Sequence, residues 1–229
     1  MNPTNILDFI ANHKSCGATK QKLVDCYQNF CKVNGLTFEK PRYKYERKIP
    51  LIPTTENIYK VISASSWKYS IMFTILEQTG IETQELSTTK RADIDADNGI
   101  INVQGCKGHN SRSTKLKPET TALLREYLRR YTTEHPFPKA KRICEMWRRF
   151  RNRVADKLNE PQIRLIPLRN LRHHYATRLY DRTKAILLVK QRLGHKKLET
   201  TTFYTQLVTS MKKKNIRAKQ PPTAKRHKT

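Results

Sequence analysis

Between residues 4 and 34 the apolar positions recur at helical intervals. NILDFIANH presents Ile6, Leu7, Phe9 and Ile10; ATKQKLVDCYQNFCKV presents Leu23, Val24, Tyr27, Phe30 and Val33 at steps of three and four. Two helices are therefore predicted, the second ended by Gly35. The pattern breaks at EKPRYKYERKIPLIP, where Pro41, Pro50 and Pro53 stand among basic residues, the marks of a linker. Helical periodicity returns in ENIYKVISAS, which Thr54 or Thr55 can cap, and in WKYSIMFTILEQT, which ends at Gly80. RADID and IINVQG flank the turn signal ADNG and predict a β-hairpin, to which SRSTKLK offers a third strand. PETTALLREYLRRYTTE, with Pro118 in its first turn, reads as a helix. So does PKAKRICEMWRRFRNRVADKLNE, with Ile143, Met146, Trp147, Phe150, Val154 and Leu158 on one stripe, and so do 168–180 and 183–192. The balance is mainly α with a small antiparallel β-sheet, an α+β class. The expected organisation is an N-terminal helical segment (1–39), a linker (40–53), a larger domain (54–208) and a basic tail (209–229). MKKKNIRAKQPPTAKRHKT has eight Lys and Arg, no acid and two prolines, and is expected to be disordered.

Composition narrows the partners. The 229 residues carry 46 Lys and Arg against 19 Asp and Glu, a formal net charge of +27. Such an excess points to a polyanion, with nucleic acid first. A ribosome-associated or chromatin-like binder without chemistry fits that charge equally well. No apolar run approaches the roughly 20 residues of a spanning helix, and MNPTNILDFIANHK lacks the basic and apolar regions of a secretory signal. Five cysteines with no C-x-x-C pair argue for free thiols in a reducing compartment and against a zinc finger. The expected location is intracellular, cytoplasmic or nucleoid-associated. Arg148, Arg149, Arg151 and Arg153 suit a solvated helix face and a phosphate-contacting, DNA-binding face equally.

LRNLRHHYATRLY (168–180) places Arg169 and Arg172 one helical turn apart, each with planar paired donors suited to a phosphate. Alone, R-x-x-R means little in a basic chain. Its sequel is more specific: LGH brings His195, and Tyr204 follows nine positions later. This arrangement resembles the C-terminal motif of the tyrosine recombinases, the phage-integrase family, which reads H-x-L-R-H-x-x-A-T, then L-G-H, then a tyrosine. EQTGIETQELSTTKRADID is similar to the family's T-G-x-R-x-x-E-L…D-I-D block, and NGIINVQGCKGHNSR to its hairpin with the G-x-K-G lysine. PRYKYERKIPLIPT resembles the linker entering the catalytic domain. The resemblance covers about residues 40–208, in order and at family spacing.

The resemblance implies a DNA strand-transferase that integrates or excises a mobile element. Tyr204 would attack a phosphodiester, forming a 3′-phosphotyrosyl link and releasing a 5′-hydroxyl. The bond energy is conserved, so neither metal, ATP nor another cofactor is implied. Charge developing on the phosphate needs preorganised cations. The resemblance assigns these roles to Arg172, to His195 as a hydrogen-bond donor and to Lys107 as the acid protonating the departing oxygen. His173 carries over as a supporting residue, and His174 reads as structural. The implied partner is double-stranded DNA, with a homo-tetramer on DNA, a monomer when free, and an interface in LVTSMKKKNIR.

Three departures stand out. Arg169 replaces the usual histidine, as in archaeal virus and plasmid integrases; arginine still donates to phosphate but cannot act as a base near neutral pH. Glu82 occupies the slot of the family's first catalytic arginine. At an effective dielectric near 20, unit charges about 4 Å apart interact by roughly 4 kcal/mol, so cleavage is expected to be impaired. We expect Glu82 to pair with Arg169, with Arg91 the alternative cation for the pocket. The segment before the linker has room for two helices where the family carries four, which reads as a reduced domain or a fragment. The alternative function is a catalytically impaired DNA-binding relic of an integrase; a single-strand relaxase-like or topoisomerase activity is a third reading.

Overall fold

Helix α1 (Pro3–Asn12) is followed by α2 (Gly17–Val33), and both belong to the first of two compact units, Met1–Ile49 and Pro50–Thr229. The computed structural model describes residues 3–44, 50–106 and 108–219. In the first unit the buried stripe is Ile10, Val24, Tyr27 and Cys31. Phe30 and Val33, expected on that stripe, are 54% and 86% exposed, because Cys31 takes the inward position one turn beyond Tyr27. Asn34 donates its side-chain amide to Phe30 O at 2.8 Å, and Gly35 turns the chain away at φ 64°. The segment after it packs back on α2: Gln21 accepts from the Tyr43 amide at 2.9 Å, and Lys40 pairs with Asp25 at 2.8 Å.

In the second unit Thr54 Oγ1 accepts from the Asn57 amide at 3.2 Å and starts α3 (Thr55–Ser63). Helix α4 (Trp67–Thr79) ends at Gly80, whose φ of 65° favours glycine. A Cβ there would also lie 2.3 Å from the Tyr175 ring, so the turn is fixed by both backbone and packing. A short α5 (Thr83–Thr88) follows, and the three-stranded antiparallel sheet is β1 (Ile94–Asp95), β2 (Ile100–Val103) and β3 (Arg112–Lys115), in that order. Register pairs Ile94 with Ile101 and Ile101 with Thr114. Asp95 closes the tip by accepting from the Asp97 and Asn98 amides at 3.1 and 3.0 Å. The remaining elements are α6 (Pro118–Arg130), α7 (Ala140–Leu158), α8 (Asn170–Thr183), α9 (Ile186–Leu193) and α10 (Glu199–Lys219).

Helix α7 buries Ile143, Met146, Trp147, Phe150 and Val154 against α4, where Trp147 meets Phe73 edge-on at 5.0 Å. Trp147 donates its ring N–H to Ile166 O at 2.8 Å. Leu158, expected on the same stripe, is 43% exposed, because it lies in the final turn before Asn159 reverses the chain at φ 53°. A second cluster, Ala176, Leu179, Val189, Leu193, Tyr204 and Leu207, joins α8, α9 and α10. Helix α8 runs on to Thr183, past the expected 180, and α9 waits until Ile186 because Lys184 adopts φ 54° between them. Helix α10 continues through Lys219, into the segment expected to be a disordered tail; residues 220–229 lie outside the described residues. Among the described residues no helix is long and apolar enough to cross a membrane.

Candidate active site

Arg172 sits in the first turn of α8 with 5% of its side chain exposed. One terminal nitrogen donates to Gly80 O at 2.7 Å and the other to Leu193 O at 2.7 Å. The guanidinium therefore bolts the turn after α4 to the end of α9. Burial works against its charge, and the carboxylates of Glu82 and Glu85 oppose that effect. They stand 4.0 Å from Nε and 3.8 Å from a terminal nitrogen, respectively.

Glu85 is the deeper of the two, with 0% side-chain exposure. It accepts a bidentate pair from Arg112 at 2.9 and 2.8 Å, the Glu82 amide at 2.7 Å and His109 Nδ1 at 3.0 Å. Burial raises its pKa, but the Arg112 fork, the Glu82 amide and His109 outweigh that and hold it at about 2. Arg112 also donates from Nε to Arg192 O at 2.8 Å. The loop between β2 and β3 is thus pinned to the end of α9, where the Asn110 amide donates to Gly194 O at 2.7 Å and His109 bridges His195. Gly194 has φ 73°, and a Cβ on it would lie 2.7 Å from an Arg112 nitrogen and 2.8 Å from Asn110 O. The L-G-H glycine is needed for this close approach.

His195 is 7% exposed, and its Nδ1 pairs with Thr201 Oγ1 at 2.9 Å. Burial, then Arg172, His109 and Arg112, push its pKa down to about 3, so the ring is neutral at pH 7. Tyr204 is 3% exposed, and its hydroxyl lies 3.0 Å from His173 Nδ1. Burial raises the Tyr204 pKa more than Arg172 and Arg169 lower it. Burial, Arg169 and Arg172 hold His173 at about 4. His174 turns the other way, its Nε2 3.1 Å from Thr55 Oγ1, while Arg178 donates to buried Glu77 at 2.8 Å and fastens α8 to α4.

The structure gathers Arg172, His173, His195, Tyr204 and Glu82 into one network, and corrects the expected partner of Glu82. The Glu82 carboxylate lies beside Arg172 and, at 3.9 Å, His109 Nε2; no Glu82–Arg169 ion pair is present among the described residues. Arg169 is exposed at the N-cap of α8 and keeps its hydration, whereas Arg172 is buried and has the greater need of counter-charge. Arg169 and Glu82 do share the wall of a cavity of about 230 Å³, with Thr83, Gln84 and Arg172. Arg91 is not the substitute cation, since it donates to Leu128 O at 2.9 Å and Tyr131 O at 3.3 Å. Lys107 lies outside the described residues. On α7, Arg148, Arg149 and Arg153 are exposed, and Arg151 is half-buried with no hydrogen-bond partner for Nε among the described residues.

Sequence reasoning missed Glu85, His109, Arg112 and Thr201. Glu85 lies three residues after Glu82 in the T-G block, and His109 and Arg112 follow the G-x-K-G lysine, so each was adjacent to a signal that was read. Their convergence on one carboxylate is a property of the tertiary fold alone. Among the described residues no group of three His, Cys, Asp or Glu side chains is placed to hold a metal ion.

Comparison with known proteins places this geometry. The sequence pattern of the phage integrase family matches residues 53–211. Tyrosine recombinase XerA of Pyrococcus furiosus is 26% identical over 219 residues, covering 88% of this chain and 75% of that protein. A crystal structure of XerA recombinase superimposes with a TM-score of 0.60 at 21% identity, covering 96% of this chain and 85% of the other. The XerH site-specific recombinase in a post-cleavage complex with palindromic difH substrate gives 0.69 at 20% identity, covering 94% and 72%. The fold is that of a tyrosine recombinase, and the chain belongs to the phage integrase family.

Proposed function

We propose that this protein is a site-specific DNA strand-transferase, integrating or excising a mobile element through a 3′-phosphotyrosyl intermediate on Tyr204. The observation that carries the reading is the convergence of Tyr204, His173, Arg172 and His195 from α8, the end of α9 and α10. Arg172 is held rigidly by two carbonyls, so its remaining N–H donors, Nε among them, are preorganised to meet a phosphate oxygen. His195, neutral and anchored through Nδ1, keeps Nε2 for the same phosphate. Lys107 is assigned as the acid for the departing 5′-oxygen on the family motif. The partner is duplex DNA, supported by the net charge of +27 and the exposed arginines of α7. Assembly on two duplexes is tetrameric; a lambda integrase has been seen as a tetramer on a Holliday junction.

Glu82 favours a second reading, a DNA-binding relic, because its carboxylate stands at the Arg172 edge a phosphate would use. Covalent capture separates the two. The protein is incubated with labelled, nicked duplexes drawn from the DNA flanking its own gene, beside Tyr204→Phe, and run on denaturing gels. A labelled protein band that Tyr204→Phe lacks supports the strand-transferase; DNA binding with no such band supports the relic.

A further inference from the structure

Arg169 stands where the family motif has a histidine, and a guanidinium cannot take a proton near neutral pH. Strand transfer through Tyr204 still requires an acceptor for the phenol proton. The Tyr204 hydroxyl lies 3.0 Å from His173 Nδ1, with ring centroids 5.8 Å apart and planes inclined by 48°. We propose that His173 is the general base of this site, accepting the Tyr204 proton on Nδ1 as the phenol oxygen attacks phosphorus. The inference rests on the strand-transferase reading above.

His173 follows Arg172 directly on α8, so the base and the phosphate clamp ride on one rigid element. The ring is neutral at pH 7, held at about 4 by burial and by Arg169 and Arg172, and its Nδ1 offers a lone pair. Tyr204 stays a protonated phenol, its pKa raised by burial despite Arg172 and Arg169, with Glu82 adding to the rise. A neutral phenol donating to a neutral imidazole is the starting state of base catalysis. His195 does not compete for this role, since its Nδ1 pairs with Thr201 and its Nε2 is assigned above to the phosphate.

A base held near 4 is weak at rest, and its own substrate corrects that. Arg169 and Arg172 depress His173, and they are also the cations a phosphate would engage. Negative charge placed beside them offsets their field and raises the imidazole pKa. Seating DNA beside Arg169 and Arg172 thereby strengthens the base that faces Tyr204. In the forward step the Tyr204 O–H proton moves to His173 Nδ1, the Oη–P bond forms and the P–O5′ bond breaks. The 5′-oxygen takes its proton from the site's acid, assigned above to Lys107. In rejoining, a 5′-hydroxyl gives its proton back to the deprotonated acid as its oxygen bonds to phosphorus, the Oη–P bond breaks, and the imidazolium returns its proton to Oη.

The test measures rates of covalent adduct formation on the nicked duplexes for the unmodified protein, Tyr204→Phe, His173→Ala and His173→Gln, with and without free imidazole. His173→Ala is expected to slow the reaction by about 10²–10⁴-fold. Free imidazole should restore part of the rate, increasingly as pH rises through about 6–8 and imidazole deprotonates. His173→Gln keeps a hydrogen-bond acceptor for the phenol but no basic nitrogen, and should stay slow; it also serves if His173→Ala does not fold. Adduct formation by either variant at the unmodified rate overturns the assignment, as does a slow, folded His173→Ala that imidazole leaves unchanged. Those results leave the strand-transferase standing, whereas absence of any adduct from the unmodified protein removes that reading and this one together.

Discussion

Replacing Glu82 by glutamine keeps the side chain's size and removes its charge, which isolates the effect of the carboxylate on Arg172. Each terminal nitrogen of Arg172 spends one N–H on a backbone carbonyl, Gly80 O or Leu193 O, while Nε, with Glu82 at 4.0 Å, keeps its N–H for a phosphate. Unit charges at that separation interact by about 4 kcal/mol at an effective dielectric of 20. Glu82 keeps 26% of its side chain in solvent against 5% for Arg172, and screening reduces the figure to about 1–2 kcal/mol. An incoming phosphate must displace that attraction and suffer repulsion from the same carboxylate. Glu82→Gln should therefore accelerate adduct formation by about tenfold, at roughly 1.4 kcal/mol per decade. Stability should fall by no more than that same figure, about 1–2 kcal/mol, because Arg172 keeps both carbonyls and the nearby Glu85 carboxylate. The assay is single-turnover capture at saturating nicked duplex, with calorimetry on the same preparation. A folded Glu82→Gln protein that forms adduct no faster than the unmodified one would refute the reasoning.

Other consequences follow from the same network. Glu85→Gln leaves buried Arg112 and Arg172 short of counter-charge and should cost about 3–5 kcal/mol, read as a drop in Tm of roughly 10 °C by calorimetry. Gly80→Ala forces a side chain into φ 65° and against the Tyr175 ring at 2.3 Å, so Tm and adduct yield should fall together, by about 1–2 kcal/mol from the backbone alone. His173 and His195, held at about 4 and about 3, bind protons later than they do in the unfolded chain. Stability should accordingly fall as pH drops from about 6.5 toward 4, by up to roughly 1.4 kcal/mol per pH unit for each ring. Glu85 at about 2 adds a further loss as pH falls below its ordinary 4.5. Melts between about pH 7 and 4 check the histidine limb, and a flat Tm across that range contradicts it.

The parts of the fold legible in sequence were those with repeated signals. The α7 stripe from Ile143 to Val154, the Gly80 stop and the ADNG hairpin each rest on several residues agreeing on one local geometry. Helix α5 was not legible, because six residues are too few for a period to show; its mark is the pair Glu82 and Glu85, of which Glu82 read first as chemistry and Glu85 was passed over. Phe30 and Leu158 fit their helical stripes yet face solvent, since periodicity reports spacing and not which turns meet a neighbour. At the site, Arg172, His195 and Tyr204 could be singled out because their spacing is local to the C-terminal motif. The Glu82 partner could not, because it depends on Arg172 being buried and Arg169 exposed, a difference created by packing at the start of α8. Arg112, His109 and Glu85 meet across 27 residues or fewer of chain, but only after the hairpin docks on the end of α9.

The most direct test of the account is the location of the covalent bond. After incubation with a nicked duplex, the adduct is digested with nuclease and protease and the nucleotide-bearing peptide is sequenced by mass spectrometry. The account predicts a nucleotide joined through its 3′-phosphate to Tyr204, with a free 5′-hydroxyl on the released strand. A link to Tyr175, Tyr180 or any other residue, or a 5′-phosphate link to Tyr204, would contradict it.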